Sequence, residues 1–210
     1  MFYDNNPQNK LRFGDIVGGF LLSHCEDYEP SFADKPDKYR IEVGRPQFAA
    51  VLTPCCTIEQ RQGKVLILSP LLQISSPPYF ENSYLRGDLT RINRKMTIQE
   101  AIGPEIWAKM ALDKQTEQIS SSPGKKYILV EEFIYERNDL LPEYQIKYKS
   151  KIENTNYYKI DFRYIYRVHD DISKNKPFII KRLQLSIESR TELRDKIAHY
   201  FGRTPEEDVT

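Results

Sequence analysis

Residues 43–74, VGRPQFAAVLTPCCTIEQRQGKVLILSPLLQI, constrain the fold more than any other part of this chain. Two apolar runs, 48–52 and 65–68, are short and bounded by Gly or Pro, as buried strands are. They are expected to be neighbours in one sheet. Between them stand Thr53, Pro54, Cys55, Cys56 and Thr57, where a fully apolar strand gives way to hydroxyl and thiol chemistry. Arg45 and Pro46 precede the first run, so a guanidinium and that polar corner can face each other across one sheet edge.

With 210 residues, the chain can build one well-buried core, or a core domain carrying a large insertion. The second arrangement fits better. Its 14 Tyr and 10 Phe favour β-structure, where flat amphipathic rings pack well. A net charge of +1 predicts neither a polycation for bulk nucleic acid nor an acidic tail, so any nucleic-acid contact must come from a local patch. There is no apolar run of bilayer-spanning length and no signal-peptide core near the N-terminus, which predicts a cytoplasmic protein without membrane contact. Cys25, Cys55 and Cys56 are odd in number and two are vicinal, so reduced thiols are expected rather than a disulfide framework.

Residues 1–10 read as a loose arm, and 11–20 as a strand closed by Gly18 and Gly19. Residues 24–40 carry Pro30 and Pro36 among acidic residues and read as a long surface loop. After Pro77 and Pro78, Arg86, Arg91, Arg94 and Lys95 gather with only Asp88 opposing them. They are a candidate phosphate-contacting patch, with a solvated charged turn as the alternative. Thr97 with Glu100 matches a capping box, and Gly103-Pro104 restarts a helix. Its stripe of Ile106, Trp107, Met110 and Ala111 belongs to a core or an interface, and residues 120–126 read as a linker. Residues 127–135 and 157–168 read as two long antiparallel strands. In the second, Tyr158, Ile160, Phe162, Tyr164 and Tyr166 occupy a buried face, with Lys159, Asp161, Arg163 and Arg167 on a wet one. Residues 177–187 are a last strand. A second capping box, Ser189 with Glu192, leads into a helix burying Leu193, Ile197, Tyr200 and Phe201, stopped by Gly202.

Several landmarks resemble, in order, the MazF/PemK family of toxin ribonucleases: Gly14-Asp15-Ile16-Val17; Arg45-Pro46; Ala50-Val51-Leu52-Thr53; residues 64–71 (KVLILSPL); and the final strand and helix in residues 183–201. The resemblance implies an α+β, mainly β protein, with an SH3-like barrel from residues 11–74 and 177–202 that includes a C-terminal helix. Residues 75–176 are then an inserted helix and β-hairpin subdomain, and 203–210 a frayed tail. The chain is about twice the length of a compact SH3-like domain, and Leu72 stands where the family tends to have Thr or Ser.

The activity implied is metal-independent cleavage of single-stranded RNA in a bacterial toxin–antitoxin or phage-defence setting, without a cofactor. Such cleavage needs a base for the 2′-hydroxyl, a cation for the phosphorane and an acid for the leaving 5′-oxygen. Arg45 matches the family's catalytic Arg. Thr53 and Ser69 can hold a phosphate oxygen, and His24 can serve as acid or base because imidazole titrates near neutrality. Two other chemistries stay open. Cys56 or Cys55 can act as a nucleophile beside His24. His24, Cys25, Cys55 and Cys56 also supply four zinc-type ligands, though adjacent residues in an extended chain point to opposite sides. A third class is non-catalytic: a module that docks an antitoxin or another protein through the Trp107 stripe, or pairs as a homodimer.

Overall fold

The computed structural model describes residues 1–19, 22–29, 38–44, 46–60, 65–75, 82–148, 151–169 and 179–202. It is a mixed α+β structure in which every ladder among the described strands is antiparallel. The strands are β1 (Ile16–Gly18), β2 (Leu22–Glu29), β3 (Lys38–Gly44), β4 (Ala49–Val51), β5 (Val65–Pro70), β6 (Leu72–Gln73), β7 (Glu132–Tyr135), β8 (Tyr144–Tyr148), β9 (Lys151–Thr155), β10 (Tyr158–Asp161), β11 (Tyr166–His169) and β12 (Ile180–Leu183). The helices are α1 (Cys55–Gln60), α2 (Ile98–Ile102), α3 (Pro104–Ala108), α4 (Leu112–Ser121) and α5 (Ile187–Phe201), with a 3₁₀ turn at Leu89–Asn93. No helix among the described residues is long and apolar enough to cross a membrane.

The chain divides into two compact units. The first, here the sheet unit, comprises Asn6–Leu71 and Ile165–Gln184; the second, the mixed unit, comprises Met1–Asn5, Leu72–Tyr164 and Leu185–Thr210. By this division the terminal helix α5 falls in the mixed unit and strand β11 in the sheet unit.

In the sheet unit, five strands run in the order β11-β5-β4-β1-β12. The runs 48–52 and 65–68 are direct neighbours, as their patterning requires: Ala49 faces Pro70, Ala50 faces Ser69 and Val51 faces Leu68. One face buries Val17, Ala49, Val51, Leu66, Leu68 and Ile179, where each large aliphatic side chain contributes roughly 1.5–3 kcal/mol. The sheet is open. Its edges are β11 and β12, and the described strands do not close into the expected barrel.

The GDIV stretch explains its own geometry. Gly14 has φ 85°, a value glycine adopts without the Cβ penalty, and donates its N–H to Val51 O at 2.7 Å. The buried Asp15 then accepts from Arg12 N and pairs with Lys181 Nζ, each at 2.7 Å, tying β1 to β12.

Within the segment read as a loop, residues 24–29 and 38–40 are strand. β2 and β3 form a two-stranded hairpin, with Tyr39, Ile41 and Val43 supplying the alternation that favours a strand; Pro30 and Pro36 lie in the connection, outside the described residues.

In the mixed unit, β6-β10-β7 form a three-stranded sheet, and β8 with β9 a hairpin. The 157–168 run is not one strand. Asp161 accepts from Arg163 N at 3.0 Å and Tyr164 N donates to Asp161 O at 2.9 Å, a turn that ends β10 and leaves β11 to pair with β5. The expected faces hold in part: Tyr158, Ile160 and Phe162 are buried and Arg163 and Arg167 exposed, but Asp161 is 2% exposed, Lys159 is tied to the buried Glu132 at 2.5 Å, and Tyr164 is exposed. Of residues 127–135 only 132–135 are strand. The N-terminal arm is anchored: Phe2 is buried in aromatic contact with Phe133 and Tyr135, and Tyr3 bridges to Leu185.

The Thr97–Glu100 capping box forms, with Thr97 N donating to Glu100 Oε2 at 2.8 Å and Glu100 N to Thr97 Oγ1 at 3.3 Å. The helices that follow bury no residue, so the Trp107 stripe is surface; Ile106 and Ala111 are exposed, Trp107 and Met110 half-buried. Helix α4 spans residues 112–121, so Ser120 and Ser121 of the expected 120–126 linker are its last turn. α5 starts three residues before the expected box. Ser186 is its cap, accepting from Ser189 N at 3.2 Å, and its buried side chains are Ser189, Leu193 and Lys196, while Phe201 is exposed.

Candidate functional site

The end of β4 builds a polar rim on the sheet unit. Leu52 N donates to Ile67 O at 2.7 Å, and one residue on Thr53 Oγ1 accepts from Ile67 N at 2.6 Å. The hydroxyl thus closes the ladder where the β4 backbone leaves it. Pro54 then opens α1, its carbonyl accepting from Thr57 N and Ile58 N. Cys55 is half-buried, its Sγ accepting from Phe13 N at 3.3 Å, and Cys56 beside it is exposed. Ser69 is fully buried opposite Ala50. Of the expected catalytic set, the structure therefore gathers Thr53, Cys55 and Cys56 at one strand end, with Ser69 on the neighbouring strand. Thr53 and Ser69 are at most 2% exposed and present no hydroxyl to solvent as they stand.

Arg45 lies outside the described residues. His24 and Cys25 have their backbones in β2, opposite Glu42 and Ile41, and their side chains lie outside the described residues. Among the described residues, no group of three or more His, Cys, Asp and Glu side chains is placed to hold a metal ion.

The basic cluster expected at residues 86–95 lies in the mixed unit and separates into distinct roles. Arg91 is structural: its guanidinium donates to Tyr84 O at 2.6 Å and lies 4.9 Å from the Tyr84 ring centroid. Arg94 is exposed and pairs with Glu192 of α5 at 2.7 Å. Arg86 is exposed. Lys95, also exposed, reaches Tyr127, its Nζ 5.6 Å from the ring centroid. Reciprocal backbone bonds of 2.8 Å between Met96 and Lys126 hold residues 94–96 against 125–127.

Tyr127 is the centre of a group that the sequence reading missed. Lys196 Nζ lies at the same 5.6 Å from its ring, and the His199 ring packs against it at 5.1 Å, tilted by 53°. Lys196 is fully buried, and its ammonium donates to Ile92 O at 2.9 Å. Burial pulls its pKa down from 10.5 to about 7, opposed by the charges of Glu132 and Glu131. Burial, with Asp195 and Glu192, raises the Tyr127 phenol. The sequence signal was helical spacing: Ser189, Leu193 and Lys196 fall on one stripe of α5.

No family model matches the chain, and comparison with curated proteins and with solved structures gives no match.

Proposed function

We propose that this chain is an RNA-acting protein of the MazF/PemK kind, built on an SH3-like sheet and serving as a metal-independent endoribonuclease in a toxin or phage-defence setting. The observation that carries the reading is adjacency. Three of the segments on which the resemblance rests, 14–17, 50–53 and 64–71, contribute the neighbouring strands β1, β4 and β5 of one sheet, and the polar rim follows the end of β4. In this reading a base, His24, takes the 2′-hydroxyl proton as that oxygen attacks phosphorus. Arg45 stabilises the charge on the phosphorane, and the bond to the 5′-oxygen breaks as that oxygen takes a proton from solvent water. Thr53, bonded to the Ile67 N–H, positions the strand end from which the rim departs.

Incubation with single-stranded RNA in the presence of a chelator tests this. Chelator-insensitive cleavage lost in Arg45→Ala supports it; intact RNA after prolonged incubation, or cleavage that persists in that variant, removes it.

A second reading, a module that binds a protein partner such as an antitoxin or a second copy, is favoured by the apolar side chains left outside on the short helices. Ile106, Leu112 and Ile119 are 56, 80 and 53% exposed. Co-purification with a fixed partner, without RNA cleavage, selects it.

A further inference from the structure

We propose that the surface around Tyr127, made by Lys95, Lys125 and Lys126 with Lys196 buried beneath, binds the phosphate backbone of single-stranded RNA and rests a base on the ring. The proposal rests on the RNA reading above and names a contact surface for it in the mixed unit, away from the β4 rim in sequence.

The first observation is the alignment of two basic segments. The Met96–Lys126 bridge sets residues 94–96 and 125–127 side by side, with Lys95, Lys125 and Lys126 exposed. An exposed ammonium already resting at the ring marks a face that takes cation and aromatic contact together. Single-stranded nucleic acid uses that combination, phosphates meeting lysines while bases stack on aromatic rings.

The second observation is Lys196. It donates to a single acceptor, the Ile92 carbonyl, and no carboxylate is in ion-pair contact with it among the described residues. A buried ammonium without a counter-ion is costly. The charged groups around it are engaged elsewhere or lie at longer range: from α5, Glu192 is bound to Arg94 and Asp195 to Arg194, with His199 on the ring. From the strand side, Glu132 is bound to Lys159, with Glu131 beside it. From the 3₁₀ side come the Ile92 carbonyl and Lys95. A phosphate arriving at the Tyr127 edge supplies the missing negative charge and favours the protonated amine. Binding near neutral pH is then accompanied by proton uptake at Lys196.

The test is titration of the whole chain with a short single-stranded RNA, by fluorescence anisotropy for affinity. Calorimetry in two buffers of different ionisation enthalpy measures proton uptake. The double variant Lys95→Glu, Lys125→Glu is expected to bind at least about tenfold more weakly, with a salt dependence shallower by roughly 1.4 in log–log slope for two phosphate contacts. Tyr127→Leu is expected to lose about tenfold through stacking. Proton uptake seen with the wild type is expected to vanish in Lys196→Met. Unchanged affinity in the double variant, or proton uptake that survives in Lys196→Met, overturns the proposal. So does tighter binding to anionic phospholipid vesicles, or to inorganic phosphate, than to the RNA. Cleavage is scored separately: binding without cleavage keeps this surface and removes the ribonuclease reading, whereas cleavage by a double variant of undiminished affinity removes this surface alone.

Discussion

Lys196 contributes a pH dependence to the stability of the mixed unit. Its folded pKa of about 7 lies below the ordinary 10.5, so between those values the unfolded chain holds a proton that the folded chain does not, and stability rises with pH. The cost of burying the charge is complete below about pH 7 and gone above about pH 10.5. Lys196→Met should therefore be more stable than the wild type by a few kcal/mol at about pH 6. The gap should narrow steadily toward about pH 10, as read by urea denaturation across that range; a constant gap contradicts this. A second residue-scale test concerns Thr53. Thr53→Val leaves the Ile67 N–H without its acceptor at a 2%-exposed site, which should lower the urea-derived stability by about 1–3 kcal/mol, while Thr53→Ser keeps most of it. Single residues were unevenly legible in the sequence. The polar corner after β4 stood out because its chemistry interrupts an apolar run. The role of Lys196 did not, because lysine in a stripe otherwise read from aliphatic spacing is discounted as solvated.

Elements were legible where local chemistry decides them and obscure where a partner does. The β4 and β5 runs and the Thr97 capping box formed as patterned, since apolar continuity and a reciprocal cap are properties of a few neighbouring residues. The β2–β3 hairpin was hidden by the prolines of its connection, and the split of 157–168 by an Asp161 turn whose aspartate fits the strand alternation equally well. The α5 boundary moved for a similar reason: two serines three residues apart both suit a cap, and only the bond from Ser189 N selects Ser186. Ser186→Ala should therefore cost about 1 kcal/mol, and more than Ser189→Ala, in thermal unfolding followed by circular dichroism. Equal losses would return the cap to the later serine.

For the whole molecule, antiparallel strands with short helices were foreseeable from aromatic content and turn signals; the assignment of segments to units was not, because it depends on contacts between distant residues. Asp15 with Lys181 is such a contact, joining the first and last strands of the sheet unit. Lys181→Met removes the 2.7 Å ion pair to the buried Asp15 carboxylate and should destabilise by about 3 kcal/mol. Replacing both, as Asp15→Leu with Lys181→Met, should recover part of that loss, and a double-mutant cycle in urea measures the coupling.

The interleaved path has a bearing on biosynthesis. β11 and β12, which flank the sheet, and α5, which completes the mixed unit, are all drawn from residues 165 onward. Until residue 165 has been made, the nascent chain holds a strand trio lacking both flanks and a mixed unit lacking α5. Nascent chains arrested just before residue 165 should be more protease-sensitive than chains in which residues 165–202 have cleared the exit tunnel.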